Sequence, residues 1–189
     1  MSFPSSNFYD GKLNLLPGID RIQFKHPDSD GFYDSLLNKR VVFMNSEIDP
    51  TNTDKTNRFE ANAVLKIIES IQSTSEISSS DIGIITPFRA QIALIDQLIS
   101  AKIEDHDIII DTVERFQGSA KDVILFSMCT NDAYHFDRRI QMDPSTVDRK
   151  FNVAITRARE LLIIIGNEKV LSRYPLYKNW VDLAEKIVF

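Results

Sequence analysis

Two stretches of this 189-residue chain set side chains suited to phosphate oxygens beside apolar runs: Asp111-Thr-Val-Glu-Arg-Phe-Gln-Gly118 and Arg149-Lys-Phe-Asn-Val-Ala-Ile-Thr-Arg-Ala-Arg159. In the first, Thr112 can donate to a backbone phosphate and Gln117 can orient water or a phosphate oxygen. Gly118 permits close backbone approach, although a tight turn that needs glycine accounts for it equally well. In the second, an arginine planted on a packed helix offers a fixed guanidinium fork, which a mobile surface arginine does less well; its other use is an ion pair with one of the many acidic residues. A third stretch, Thr86-Pro-Phe-Arg-Ala-Gln91, stands where an apolar run passes into a helical pattern. A hydroxyl and the first free amides of a helix then point the same way, so a phosphate can dock there, or Thr86 can simply cap the helix.

The residues that are missing matter as much. The six glycines, at positions 11, 18, 31, 83, 118 and 166, contain no pair with the spacing G-x-x-x-x-G-K-[ST] or G-x-G-x-x-G. This chain therefore does not cradle a triphosphate by itself. It also shows no His/Cys/Asp cluster with metal spacing, so no metal ligand is assigned, and no serine nucleophile elbow. A phosphate-facing arginine without a phosphate loop fits an arginine finger that completes a site on another domain, a contact worth roughly 10³ to 10⁵ in rate.

Hydrophobic content of 43% and charged content of 26% suit a water-soluble globular domain, and no apolar run approaches the roughly 18 residues of a membrane span. Met-Ser-Phe-Pro-Ser-Ser lacks the basic start and apolar stretch of a secretion signal, which sets the expectation of an intracellular, cytoplasmic protein. The single cysteine, Cys129, cannot form an internal disulfide and reads as a buried core thiol. A formal net charge of −5 argues against a coat of positive charge for indiscriminate nucleic-acid binding. Arg138 to Arg159 nevertheless holds six basic residues against two acidic ones, a local +4 that leaves −9 on the remainder. Without the motif beside it, such a cluster would read as a solvated helix face.

The elements that must position these groups follow from periodicity. Residues 1–38 are irregular, with Pro4, Pro17 and Pro27 and turns at Asp10-Gly11 and Asp30-Gly31. Apolar strands are expected over Arg40–Asn45, Ile82–Thr86, Asp107–Ile110, Val123–Met128 and Leu161–Ile165. Helices are expected over Asn57–Gln72, Phe88–Ser100, Ser145–Arg159 and Tyr177–Val188, with Pro87 in the first turn of the second. Asn57-x-x-Glu60 has capping-box spacing. On the third helix, Arg149, Asn152, Thr156 and Arg159 would lie on one side of the apolar stripe Phe151, Ala154, Ile155 and Ala158, with Lys150 and Arg157 on the other. Apolar strands alternating with helices predict one α/β domain, a mainly parallel sheet with helices on both faces, whose ligands sit beyond the C-terminal strand ends.

Taken in order, Phe3-Pro-Ser5 with Phe8-Tyr-x-Gly-x-Leu13, Asn57-x-x-Glu-Ala61, Thr86 to Gln91, Thr112 to Gly118 and Arg149 to Arg159 through Gly166-Asn167 resemble the second RecA-like domain of superfamily 1 helicases, in the Upf-like subgroup. The likeness runs over nearly the whole chain. It implies one C-terminal RecA-like domain over 1–189, with 1–38 packed on it, in a P-loop NTPase-type fold. It implies that Thr86, Pro87, Arg89, Thr112 and Asn152 bind single-stranded DNA or RNA, that Gln117 and Gly118 lie near the nucleotide, and that Arg157 is the finger reaching the γ-phosphate. ATP and Mg2+ would be held mainly by a first RecA-like domain absent from this chain, which would be the partner lobe of a 5′ to 3′ motor. The 189 residues alone would then be inactive. Ala120 stands where the family usually has an acidic residue near the nucleotide sugar, Glu114 where aspartate is usual and Phe151 where leucine is. Two other readings remain open: a non-enzymatic nucleic-acid-binding or regulatory module with a degenerate helicase fold, for which Ala120 is the best hint, and a protein-interaction domain, favoured by the acidic balance.

Overall fold

The computed structural model describes residues 39–51, 55–74, 77–116, 118–131 and 148–187. The irregular N-terminal segment 1–38, Gln117, and Arg138 and Arg139 of the basic cluster lie outside the described residues. Six strands, β1 (Val41–Asn45), β2 (Ile82–Ile85), β3 (Ile109–Asp111), β4 (Lys121–Ser127), β5 (Ala158–Gly166) and β6 (Glu185–Ile187), form one sheet in the order β3-β2-β4-β5-β1-β6. All five pairings are parallel. The helices are α1 (Arg58–Thr74), α2 (Arg89–Ser100), α3 (Arg149–Ile155), α4 (Glu168–Leu171) and α5 (Pro175–Leu183).

A parallel sheet needs crossovers that cover its faces, so its strands are apolar on both sides rather than alternating. The core accordingly divides in two. Val42, Met44, Ile82, Ile84, Leu161, Ile163 and Ile165 face α1 and α2, while Phe43, Ile85, Ile124, Phe126, Leu162 and Ile164 face α3, α4 and α5. The α/β class with helices on both faces is thus as the periodicity predicts, and the described sheet is wholly parallel.

Two boundaries differ from expectation. The helix expected over Ser145–Arg159 is described only as Arg149–Ile155, and Arg157 and Arg159 are off it. Thr156 stops it: its hydroxyl donates back to the carbonyls of Asn152 and Val153, both at 3.0 Å. The chain then enters β5, where Ala158 pairs with Lys121 of β4. The helical wheel that grouped Arg149, Asn152, Thr156 and Arg159 therefore fails at its last member. The closing helix also ends early, at Leu183, and Glu185–Ile187 joins the sheet beside β1. An open edge of β1 wins over the helical propensity of Leu-Ala-Glu-Lys.

One glycine sets a packing distance. A Cβ at Gly83 would lie 2.7 Å from Cε1 of Phe116 and 2.8 Å from Cδ1 of Ile124. Its absence lets the 3-10 turn Val113–Phe116 lie directly on the sheet.

Candidate phosphate-binding and strand-binding site

The candidate residues divide between the two ends of the sheet. Thr86 follows β2 and Thr112 follows β3, at the C-terminal ends, and the two segments are joined by the Thr86 amide donating to the Asp111 carbonyl at 3.2 Å. Gly118, three residues before β4, and Arg157, just before β5, instead lie at the N-terminal ends. The two segments are joined there, since the Lys121 amide donates to the Arg157 carbonyl at 3.0 Å. Arg157 thus lies at the end of the sheet opposite the C-terminal strand ends where ligands were expected. The segment Thr112 to Gly118 crosses from one end to the other over the face that carries α3.

At the C-terminal end, Thr86 is fully buried and its hydroxyl has no hydrogen-bond partner among the described residues. It does not cap α2: Phe88 is the N-cap and makes no side-chain cap bond, so Pro87 lies before the helix and not in its first turn. Leaving a buried hydroxyl unpaired costs about 1–3 kcal/mol, and the first amides of α2 lack a side-chain cap beside it. Arg89, exposed in the first turn of α2, has no carboxylate partner among the described residues. Thr112 is half-buried, two residues before the Glu114 carboxylate. Lys150 of α3 pairs with that carboxylate at 2.8 Å and, as the largest influence, holds its pKa below the usual range. This bridge ties α3 to the turn after β3.

Beneath these residues lies a polar network that the motifs did not announce. Glu60, on the first turn of α1, is completely buried at the exits of β1 and β4. Its carboxylate accepts from the Ser127 hydroxyl and the Cys129 amide at 2.7 Å, the Thr130 amide at 2.8 Å, the Thr130 hydroxyl at 2.9 Å and the Ser46 hydroxyl at 3.3 Å. The capping-box reading is half correct. Asn57 Oδ1 does accept the Glu60 amide at 2.9 Å, but the Asn57 amide goes to Gln91 Oε1 at 2.8 Å and not to Glu60. Gln91 Nε2 returns a bond to the Asn57 carbonyl at 3.0 Å and another to the Ser127 hydroxyl at 3.1 Å, so it locks α1 to α2. Burial raises the Glu60 pKa, opposed by the four bonds from Ser127, Cys129 and Thr130. Cys129, buried as expected, has φ 52°, a left-handed conformation that brings two successive amides onto one carboxylate. The sequence signal was polar Asn57, Glu60 and Gln91 on otherwise apolar helix faces.

At the N-terminal end, Gly118 has φ +84° and open space around its missing Cβ, so the turn reading holds and the approach is unobstructed. Arg157 is half-buried, and its Nε donates to the Val153 carbonyl at 3.2 Å and its Nη2 to the Thr156 hydroxyl at 3.1 Å. No carboxylate pairs with it among the described residues. Its cationic neighbours are spent otherwise, Arg159 on Asp122 at 3.1 Å and Lys150 on Glu114. Among the described residues, two neutral acceptors thus orient the guanidinium. Asn152, half-buried on α3, lies one turn before Thr156 and is placed with Arg157 rather than with Thr86.

Residues 1–169 match a family model described as an AAA domain. The chain is 29% identical over 98% of its length to DNA polymerase alpha-associated DNA helicase A of Saccharomyces cerevisiae, and 33% identical over 95% of its length to ATP-dependent helicase upf1 of Schizosaccharomyces pombe. It spans 29% of the first and 19% of the second, less than a third of either relative. Among solved structures, the C-terminal domain of a possible DNA helicase from Lactobacillus plantarum WCFS1 shares the fold, with a TM-score of 0.50 at 11% identity, covering 82% of this chain and 92% of that one. The chain belongs to the AAA domain family and, within it, to the Upf-like superfamily 1 helicase domains.

Proposed function

We propose that this domain is the C-terminal lobe of an ATP-dependent motor that moves 5′ to 3′ along single-stranded nucleic acid. Its Arg157 serves as the arginine finger for a triphosphate held by a separate RecA-like lobe. The observation that carries this reading is the Arg157 guanidinium, oriented by Val153 and Thr156, unpaired with any described carboxylate, and set beside the open turn at Gly118. A fixed charge that needs no reorganisation stabilises the negative charge that develops as the phosphoryl group transfers. The glycine pattern offers no phosphate loop, so ATP and its magnesium are held mainly by the other lobe, with Gln117 and Gly118 approaching from this side. The strand would lie at the opposite end of the sheet, where the unpaired Thr86 hydroxyl, Pro87, the first turn of α2 with Arg89, and Thr112 converge. Asn152, on α3, would reach the strand only from the turn face.

The test is Arg157→Ala in a protein that carries this domain together with the nucleotide-gripping lobe. Steady-state hydrolysis is expected to fall about 10³-fold or more in kcat, with nucleotide affinity within a few-fold of the parent. Unchanged hydrolysis would sink the reading, as would a helicase-like rate from the 189 residues alone. The second reading, a binding module without a motor, is favoured by Ala120, which offers no carboxylate beside Gly118. It predicts strand binding with no ATPase signal for Arg157→Ala to abolish.

A further inference from the structure

Among the described residues, every hydrogen bond that orients the Arg157 guanidinium comes from α3 or its C-cap: Val153 is on the helix and Thr156 is the residue that ends it. The aim of the guanidinium is therefore only as good as the placement of α3. That helix has seven residues, too few to hold itself in water. Its start is gripped from another element. Asp148 is the N-cap, buried, with Oδ1 accepting the Phe151 amide at 2.9 Å and Oδ2 accepting the hydroxyl of Tyr177, from the first turn of α5. The Tyr177 ring stands edge-on to Phe151 at 4.8 Å and 67°, and Trp180, one turn along α5, stands edge-on to it at 6.0 Å and 87°. Burial, reinforced by the Asp148 charge, pushes the Tyr177 phenol pKa up, so the hydroxyl stays a donor.

We propose that Tyr177 and Asp148 are positioning residues for Arg157: the phenol-carboxylate tie fixes the origin of α3 and so the reach of the guanidinium at its far end. This rests on the reading of Arg157 given above. Phe151 fills the core whether or not the tie exists, whereas the hydroxyl of Tyr177 contributes a bond to one oxygen of a cap. Removing that hydroxyl leaves the aromatic packing and the Phe151 cap in place and frees the helix to shift. A misplacement of about 1 Å far from the chemistry can cost roughly 10²-fold.

Tyr177→Phe and Asp148→Ser, the second keeping an N-cap but not the reach to Tyr177, are tested in the two-lobe protein well below its melting temperature. Each is expected to lower kcat for ATP about tenfold or more, with KM and single-strand affinity within about twofold. The double variant is expected to lose no more than either alone. In the domain itself, hydrogen exchange at the Asn152 and Thr156 amides is expected to accelerate about tenfold in Tyr177→Phe, with α1 unchanged. An unaltered kcat in both variants, while Arg157→Ala abolishes hydrolysis, overturns the positioning role and leaves the finger standing. If Arg157→Ala changes nothing, the finger falls and the positioning role with it, and accelerated exchange would then mark a purely structural clamp.

Discussion

Glu60 is a carboxylate that burial disfavours and five donors support. Because its folded pKa lies above the ordinary 4.5, the folded state holds a proton more tightly than the unfolded chain does. Its contribution to stability is therefore fully present below about 4.5 and is lost as pH rises through the folded value, after which it is flat. Glu60→Gln is expected to remove that descending segment. Urea denaturation at a series of pH values reads it directly, and a variant profile parallel to the parent's over the acid range would contradict it. Two glycines, Gly118 of the site and Gly83 of the core, separate space from conformation. Gly118→Ala meets no atoms but must adopt φ +84°, at a cost of about 1–2 kcal/mol. Gly83→Ala has an ordinary backbone but must displace Phe116 and Ile124, at a cost of about 1–3 kcal/mol. Their pH-independent losses should appear in the same titrations, and only Gly83→Ala should disturb near-ultraviolet aromatic signals.

At the scale of elements, the α1–α2 contact rests on Gln91 satisfying both the amide and the carbonyl of Asn57. Gln91→Ala leaves the buried Asn57 amide without its acceptor, while the Asn57 carbonyl keeps the Ala61 amide at 3.1 Å, and is expected to cost about 1–3 kcal/mol. It should also be non-additive in a double-mutant cycle with Ser127→Ala, whose hydroxyl Gln91 Nε2 meets at 3.1 Å, and additive losses would show that the two side chains act separately. The five strands expected from apolar runs are present, because a strand covered on both faces needs only a short unbroken run of Val, Ile, Leu and Phe. The order and types of the candidate residues were legible for the same local reason. What stayed illegible was decided by partners distant in sequence. The stop at Thr156 depends on a hydroxyl choosing backbone carbonyls, β6 depends on the open edge of β1, and the inward turn of Glu60 depends on the exits of β1 and β4, up to 70 residues away. The placement of Arg157 at the N-terminal strand ends followed from the first of these.

For the whole molecule, the division of candidate residues between opposite ends of one sheet predicts that nucleotide and strand contacts can be altered separately. Arg89→Ala should weaken single-strand binding and reduce the slope of log affinity against log salt by about 0.7, the value for one phosphate contact on a single strand. Nucleotide affinity should hold, and an unchanged salt slope would remove Arg89 from the strand path. No described helix is long and apolar enough to cross a membrane. The described sheet ends on β3 and β6, each three residues long, although its interior strands run to nine. A foreign chain seeking to add itself alongside finds only a few unclaimed amides and carbonyls at either border. The domain can therefore carry long, very apolar inner strands without templating its own aggregation.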